Sequence, residues 1–201
     1  DLAAAGGVSI PEAATIAANA MAMFGLKGKD MAHVADLIAG AANASSIDVS
    51  DFNLSMQKAG VAAGIAGFSF DDMAVAIAEM GKMGIKGSDA GTSLKTMLMR
   101  LVPQTEKAAG KMIELGIMTN TGANSFFDAS GKVKSMADVQ EVLANATKNL
   151  TEEQKLETLS ILFGSDAIRA AAVMAKEGGA GFSEMAGAMS KVTAEAVAAK
   201  R

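Results

Sequence analysis

The chain has 201 residues, a net charge of −4, no cysteine and one histidine, His33. The missing cysteines remove disulfides, thiolate metal sites and cysteine nucleophiles, and a lone histidine removes multi-histidine metal sites and the H-E-x-x-H pattern. An acidic balance with 4% aromatic residues gives neither a basic patch nor a stacking platform for gripping nucleic acid.

Read in chain order, the pattern predicts helices at about 9–24, 30–45, 50–66, 70–83, 88–102, 104–115, 136–149, 151–163, 165–177 and 182–201. Ser9 with Glu12, Ser69 with Asp72, Ser135 with Asp138 and Thr151 with Gln154 resemble capping boxes at four of the starts. Gly25, Gly67, Gly84, Gly116, Gly164 and Gly178 are the expected stops. The expected fold class is all-α, a multi-helix array of short Gly-punctuated helical hairpins. At most one small β-hairpin is expected near 117–134, around the Asp128–Gly131 turn.

A faint repeat pairs Gly7-Val8-Ser9-Ile10-Pro11-Glu12 with Gly67-Phe68-Ser69-Phe70-Asp71-Asp72, and Gly25-Leu26-Lys27-Gly28 with Gly84-Ile85-Lys86-Gly87. The expected organisation is helical hairpin repeats over 1–115, an irregular insertion over 116–134, and C-terminal helices over 135–201. The last of these read as helix through Lys200 and Arg201 without a stop signal, and the chain opens Asp1-Leu2-Ala3 without an initiator Met or a basic leader. The sequence therefore reads as a piece of a longer protein. The longest stretch without a charged residue runs from Ala13 to Leu26. As a helix it would span about 21 Å, short of the roughly 30 Å hydrocarbon core, so no membrane span is expected.

Between Gly84 and Leu101 the chain closes one helix and opens the next. Ser88 is the expected N-cap and Asp89 suits the first turn. Leu94, Met97, Leu98 and Leu101 form one apolar stripe, and Ala90 and Gly91 extend it with little bulk, inviting a close neighbour. Arg100 sits in the last turn, where a cation is favoured, and Pro103 ends the helix. The glycines here read as a helix-hairpin turn and not as an anion cradle, because no strand precedes them and no phosphate-binding lysine follows. His33 reads as a core-edge or surface histidine, and Asp71-Asp72 and Glu152-Glu153 as first-turn carboxylates. Most of the 15 methionines, among them Met80, Met83, Met97 and Met112, read as core filler. No catalytic, cofactor or metal residue is expected.

This central string resembles the core region of phage tail tape-measure proteins. Gly84, Gly87, Ala90, Gly91, Thr92, Leu94, Leu98, Arg100 and Leu101 stand at that family's Gly-x-x-Gly, Ala-Gly-Thr, Leu and Arg-Leu positions. Leu115-Gly116-Ile117, the Asp128/Gly131 turn and Leu162-Phe163-Gly164-Ser165-Asp166-Ala167 resemble further landmarks in the right order, so the likeness covers about residues 1–180. It implies a packing motif that includes Phe163 and Gly164; no enzyme activity is expected, because the histidine and cysteine counts argue against it. It also implies a place in the virion, in the tail lumen or tail tip, after assembly in the host cytoplasm. The implied roles are tail assembly, length determination and DNA ejection. The implied partners are further copies of the chain, tail-tube and tail-tip proteins and assembly chaperones, with no sequence-specific nucleic acid. The competing reading is a helical effector or pore-forming toxin fragment, since such proteins are also rich in Ala and Gly.

Overall fold

Every residue from 73 to 81 of the fifth helix is buried, with neighbouring helices packed on it. The computed structural model describes residues 2–193 and 199. Among these are α1 (Leu2–Gly6), α2 (Ile10–Phe24), α3 (Met31–Ala44), α4 (Val49–Ala66), α5 (Phe70–Lys82), α6 (Gly87–Met99), α7 (Glu106–Glu114), α8 (Met136–Thr147) and α9 (Glu152–Ser190), with a 3-10 turn at Gly28–Asp30. The fold is all-α.

α5 can be surrounded because its sequence is small and apolar on all sides. Ala74, Ala76 and Ala78 are completely enclosed, and a methyl group on Gly81 would lie 2.5 Å from Ile47 Cγ2. α3, α4, α6, α8 and α9 all pack on it. Where α2, α4 and α5 meet, Phe70 takes edge-on contacts from Phe24 at 5.6 Å and Phe52 at 6.1 Å between ring centroids. Each such pair is worth about 0.5–1.5 kcal/mol beyond the area it buries. One continuous core runs from Leu2 to Met189 and draws on all nine helices.

The helix starts follow their caps. Ser69 with Asp72 and Thr151 with Gln154 form complete capping boxes, while Ser9 and Ser135 each accept a backbone N–H of the first turn. Asp48 with Asp51 adds a box, and Thr105 caps α7. Asp72 serves two helices, since its Oδ1 also accepts Met136 N at 3.1 Å, fixing the start of α8 beside that of α5.

α9 is broken twice. Gly164 (φ 71°, ψ 177°) and Gly178 (φ 61°, ψ −171°) hold conformations open only to glycine. They cut the run into arms at 152–163, 165–177 and 179–190, which lie along α3, α5, α6, α7 and α8.

Several boundaries differ from the sequence reading. α1 carries no periodic signal and was not expected. α6 begins at Gly87, so Lys86 and not Ser88 occupies the N-cap, with no side-chain bond. α6 stops at Met99, and Leu101 turns inward beyond it to burial. The last helix starts just after Gly178 and ends at Ser190, short of the expected C-terminal run; 194–198, 200 and 201 lie outside the described residues. Met83 is 42% exposed at the C-cap of α5 and is not core. The segment 116–134 has two isolated antiparallel bridges, Met118 with Asn124 and Phe127 with Val133, and no strand. Its anchor is Phe126, fully buried, and Asn124 ties it to the turn after α6 by donating from Nδ2 to Leu101 O at 2.8 Å.

Candidate functional site at the α6 seam

α6 lies between α4 and α9 and meets each through a different chemistry. On the α4 side the contact is backbone-close. A methyl group on Gly91 would sit 2.7 Å from Lys58 Cβ and 2.8 Å from Ser55 Cα, well inside the 3.5–4.0 Å of ordinary carbon contacts. Ala90, Leu94 and Leu98 are buried beside it. Ser55 closes the seam by donating its hydroxyl to Asp51 O at 2.9 Å and Gly87 O at 2.8 Å. The Gly84–Gly87 turn is pinned from the other end. Ser46 Oγ donates to Gly81 O at 2.6 Å, and Lys86 Nζ donates to Ser46 O.

On the α9 side the contacts are polar. The buried Ser93 Oγ accepts Ala170 N at 3.0 Å. Arg100 Nη1 donates to Phe163 O at 2.7 Å, across 63 positions of sequence. That carbonyl belongs to the last turn of the 152–163 arm, where helical carbonyls lack partners and a cation is favoured. The Arg100 guanidinium thus caps the broken helix of α9 rather than its own, and it fills the space that a side chain on Gly164 would need. Outside the seam, Arg169 pairs with Asp89 at 3.3 Å, an exposed pair worth little.

The structure therefore brings Arg100 together with Phe163 and Gly164, and buries Gly87, Ala90, Gly91, Leu94, Leu98, Leu101 and Phe163 in packing. Gly84 and Thr92 stand on the exposed side of the turn and helix. His33 is an exposed surface residue whose Nε2 meets Asp71 Oδ1 at 2.8 Å. No group of three or more His, Cys, Asp or Glu that could hold a metal occurs among the described residues.

Sequence reasoning passed over a buried polar pair. Glu79 of α5 and Gln140 of α8 are both fully enclosed, with Gln140 Nε2 donating to Glu79 Oε2 at 2.6 Å. Burial pushes the Glu79 carboxyl up to about 7, the Gln140 hydrogen bond pulls it down, nearby Glu177 raises it and Lys82 lowers it. The available signal was Glu79 itself, the one charged residue in 73–81.

Among the described residues, apolar surface is left uncovered on α4 and between α8 and α9. α4 carries a ridge of Leu54, Val61 and Ile65, the last 83% exposed, at i, i+7 and i+11 on one face. Between α8 and the first two arms of α9 lies a groove of about 710 Å³. Its apolar lining includes Leu156, Leu159 and Ile168, and its charged residues are Lys148, Lys155, Lys176 and Glu152.

Residues 1–164 match the family profile described as phage-related minor tail protein. The chain is 33% identical over 168 residues to a tape measure protein of Pneumococcus phage Dp-1, covering 84% of this chain and 14% of that protein. It is 29% identical over 153 residues to a probable tape measure protein of Escherichia phage P2, covering 75% of this chain and 18% of that protein. The chain thus spans less than a fifth of the length of either relative. No solved structure matches it. The profile match, over most of the chain and across α4, α6 and the Arg100–Phe163 contact, makes this chain a member of the phage-related minor tail protein family.

Proposed function

We propose that this chain is the compact docking segment of a tape-measure protein. On this reading it serves tail assembly, length determination and DNA ejection by self-association and by docking to tail-tube and tail-tip proteins. The hairpins of 2–115 and the helices between 135 and 190 act together as one packed module, tied by the insertion at 116–134. The exposed α4 ridge and the α8–α9 groove carry this reading, because a lone chain leaves both in water. The ridge spans about 16 Å from Leu54 to Ile65 at 1.5 Å per residue. Asp48 and Asp51 lie at its N-terminal end, and three lysines line the groove. We assign the ridge of one copy to the groove of the next. Such a head-to-tail contact closes into a ring or grows into a filament. A net charge of −4 suits a passage used by DNA, since it offers few phosphate-neutralising contacts.

The test is the mass of the purified chain by light scattering. Association should be lost in both Ile65→Glu and Leu156→Glu. Mixing the two variants should restore a dimer, because each keeps the surface the other lacks. A monomeric wild type, or association that survives both changes, would refute the assignment. In the virion, an in-frame deletion of residues 7–66 removes the ridge, so fewer tails should assemble, and those that do should keep full length. Shortening by about 90 Å would mean that these 60 residues are extended helix in the tail.

A pore-forming fragment is favoured by one observation. Glu152–Ser190 is long and apolar enough by composition to cross a membrane. Two non-helical glycines interrupt that run and half of its apolar window is buried, so the tail reading is preferred. Leakage of anionic liposomes on adding the chain would reverse that preference.

A further inference from the structure

The Glu79–Gln140 pair leaves one oxygen over on each side. Gln140 Nε2 bonds Glu79 Oε2, and the two buried side-chain polar atoms without a partner among the described residues are Glu79 Oε1 and Gln140 Oε1. Both are acceptors while the acid is ionised, so neither can satisfy the other. A single proton on Glu79 Oε1 makes that oxygen a donor. A carboxylic acid and a primary amide can then pair edge to edge through two hydrogen bonds, which satisfies both orphans at once.

We propose that Glu79 is held as a neutral carboxylic acid that donates to Gln140 Oε1, forming a pH-sensitive latch between α5, α8 and α9. The charges acting on the carboxyl are Glu177 of α9, which opposes ionisation, and Lys82 of α5, which favours it. Among the described residues, no charged group of α3, α4, α6 or α8 acts on it. Lys82 and Glu177 also pair with each other at 3.5 Å, and Glu177 is almost buried. Burial with these neighbours places the Glu79 carboxyl near 7, against an ordinary value of 4.5. The native state then binds the proton more tightly than the unfolded chain. Its stabilising contribution is complete below about pH 4.5 and is lost as pH rises through about 7. Ionisation would leave a charge and an unpaired amide oxygen beside α9, loosening the helix that forms the groove. A partner that moves the arm carrying Glu177 would change the same equilibrium from the other side.

The experiment is thermal unfolding of the 201-residue chain from pH 5 to pH 8.5, beside Glu79→Gln. The wild-type Tm should fall by about 5–10 °C more than that of the variant across this range. Glu79→Gln should match the wild type at pH 5 and stay there, since an amide can make both bonds without a proton. An equal pH dependence in the two proteins would overturn the proposal. Carbon-13 NMR of the wild type gives a second reading that does not need the variant to fold. One Glu side-chain carboxyl, that of Glu79, should titrate near neutrality. The absence of any Glu carboxyl titrating near neutrality would refute the latch.

Discussion

Gly91→Ala isolates the close approach of α4 and α6. The added methyl group would lie 2.7 Å from Lys58 Cβ and 2.8 Å from Ser55 Cα, and closer still to Ser55 O. Restoring contacts of about 3.6 Å requires the helices to separate by roughly 1 Å. Overpacking of this kind costs about 1–3 kcal/mol. The same shift stretches the 2.8 Å bond from Ser55 Oγ to Gly87 O, adding about 1 kcal/mol. Alanine recovers about 0.8–1.0 kcal/mol of helix propensity over glycine, so the net loss is about 1–3 kcal/mol. With a urea m-value of about 2 kcal/mol/M, the midpoint should fall by about 0.5–1.5 M. Gly110→Ala on α7 and Gly187→Ala on α9 are the controls, because nothing lies within 4 Å of either added methyl group. Both should gain about 0.5–1 kcal/mol. If Gly91→Ala is as stable as the wild type, or if the controls fall with it, the close-packed seam is wrong.

Three further changes probe other parts of the molecule. Arg100→Met should cost about 1.5–3 kcal/mol by removing the charge-assisted bond to Phe163 O, with Arg100→Lys recovering only part of it, as read by thermal melts. Gly164→Ala should cost at least about 1–3 kcal/mol from its backbone conformation alone, plus the collision with Arg100. Combining it with Arg100→Met should be less costly than the sum, because the collision vanishes; an additive double mutant would contradict the contact. The Ser130 hydroxyl, and then the Lys132 and Ser130 amides, hold the Asp128 carboxyl below its ordinary value. That turn is therefore stabilised above about pH 3.8 and loosens as pH falls through the lowered value, which the amide shifts of Ser130 and Lys132 should follow.

The sequence showed where helices stop because the signal is local. A glycine such as Gly25 or Gly67 ends its helix through its own positive φ, and Ser69 caps through atoms three residues away. The breaks at Gly164 and Gly178 were legible for the same reason. The Arg100–Phe163 bond was not, because nothing near Arg100 says that a broken helix 63 positions later will present an uncapped carbonyl. Met83 falls in register with the core but lies beyond the last turn of α5, where the chain has already left the interior. Ser88 carries good capping chemistry, yet Gly87 is held against α4 by Ser55, so the helix starts before the serine. Gln140 has no pattern of its own; only the carboxyl it meets gives it meaning.

The two kinks in α9 also store length. Were Gly164 and Gly178 to take helical angles, the 39 residues would straighten into one rod of about 58 Å, against roughly 20 Å for each folded arm. Glycine meets no steric barrier to that rotation. What holds the zigzag shut is the grease it covers, since Leu159, Phe163, Met174, Met185 and Met189 would all lose their neighbours. At about 1.5–3 kcal/mol for each large side chain returned to water, unbending happens only where another surface receives them.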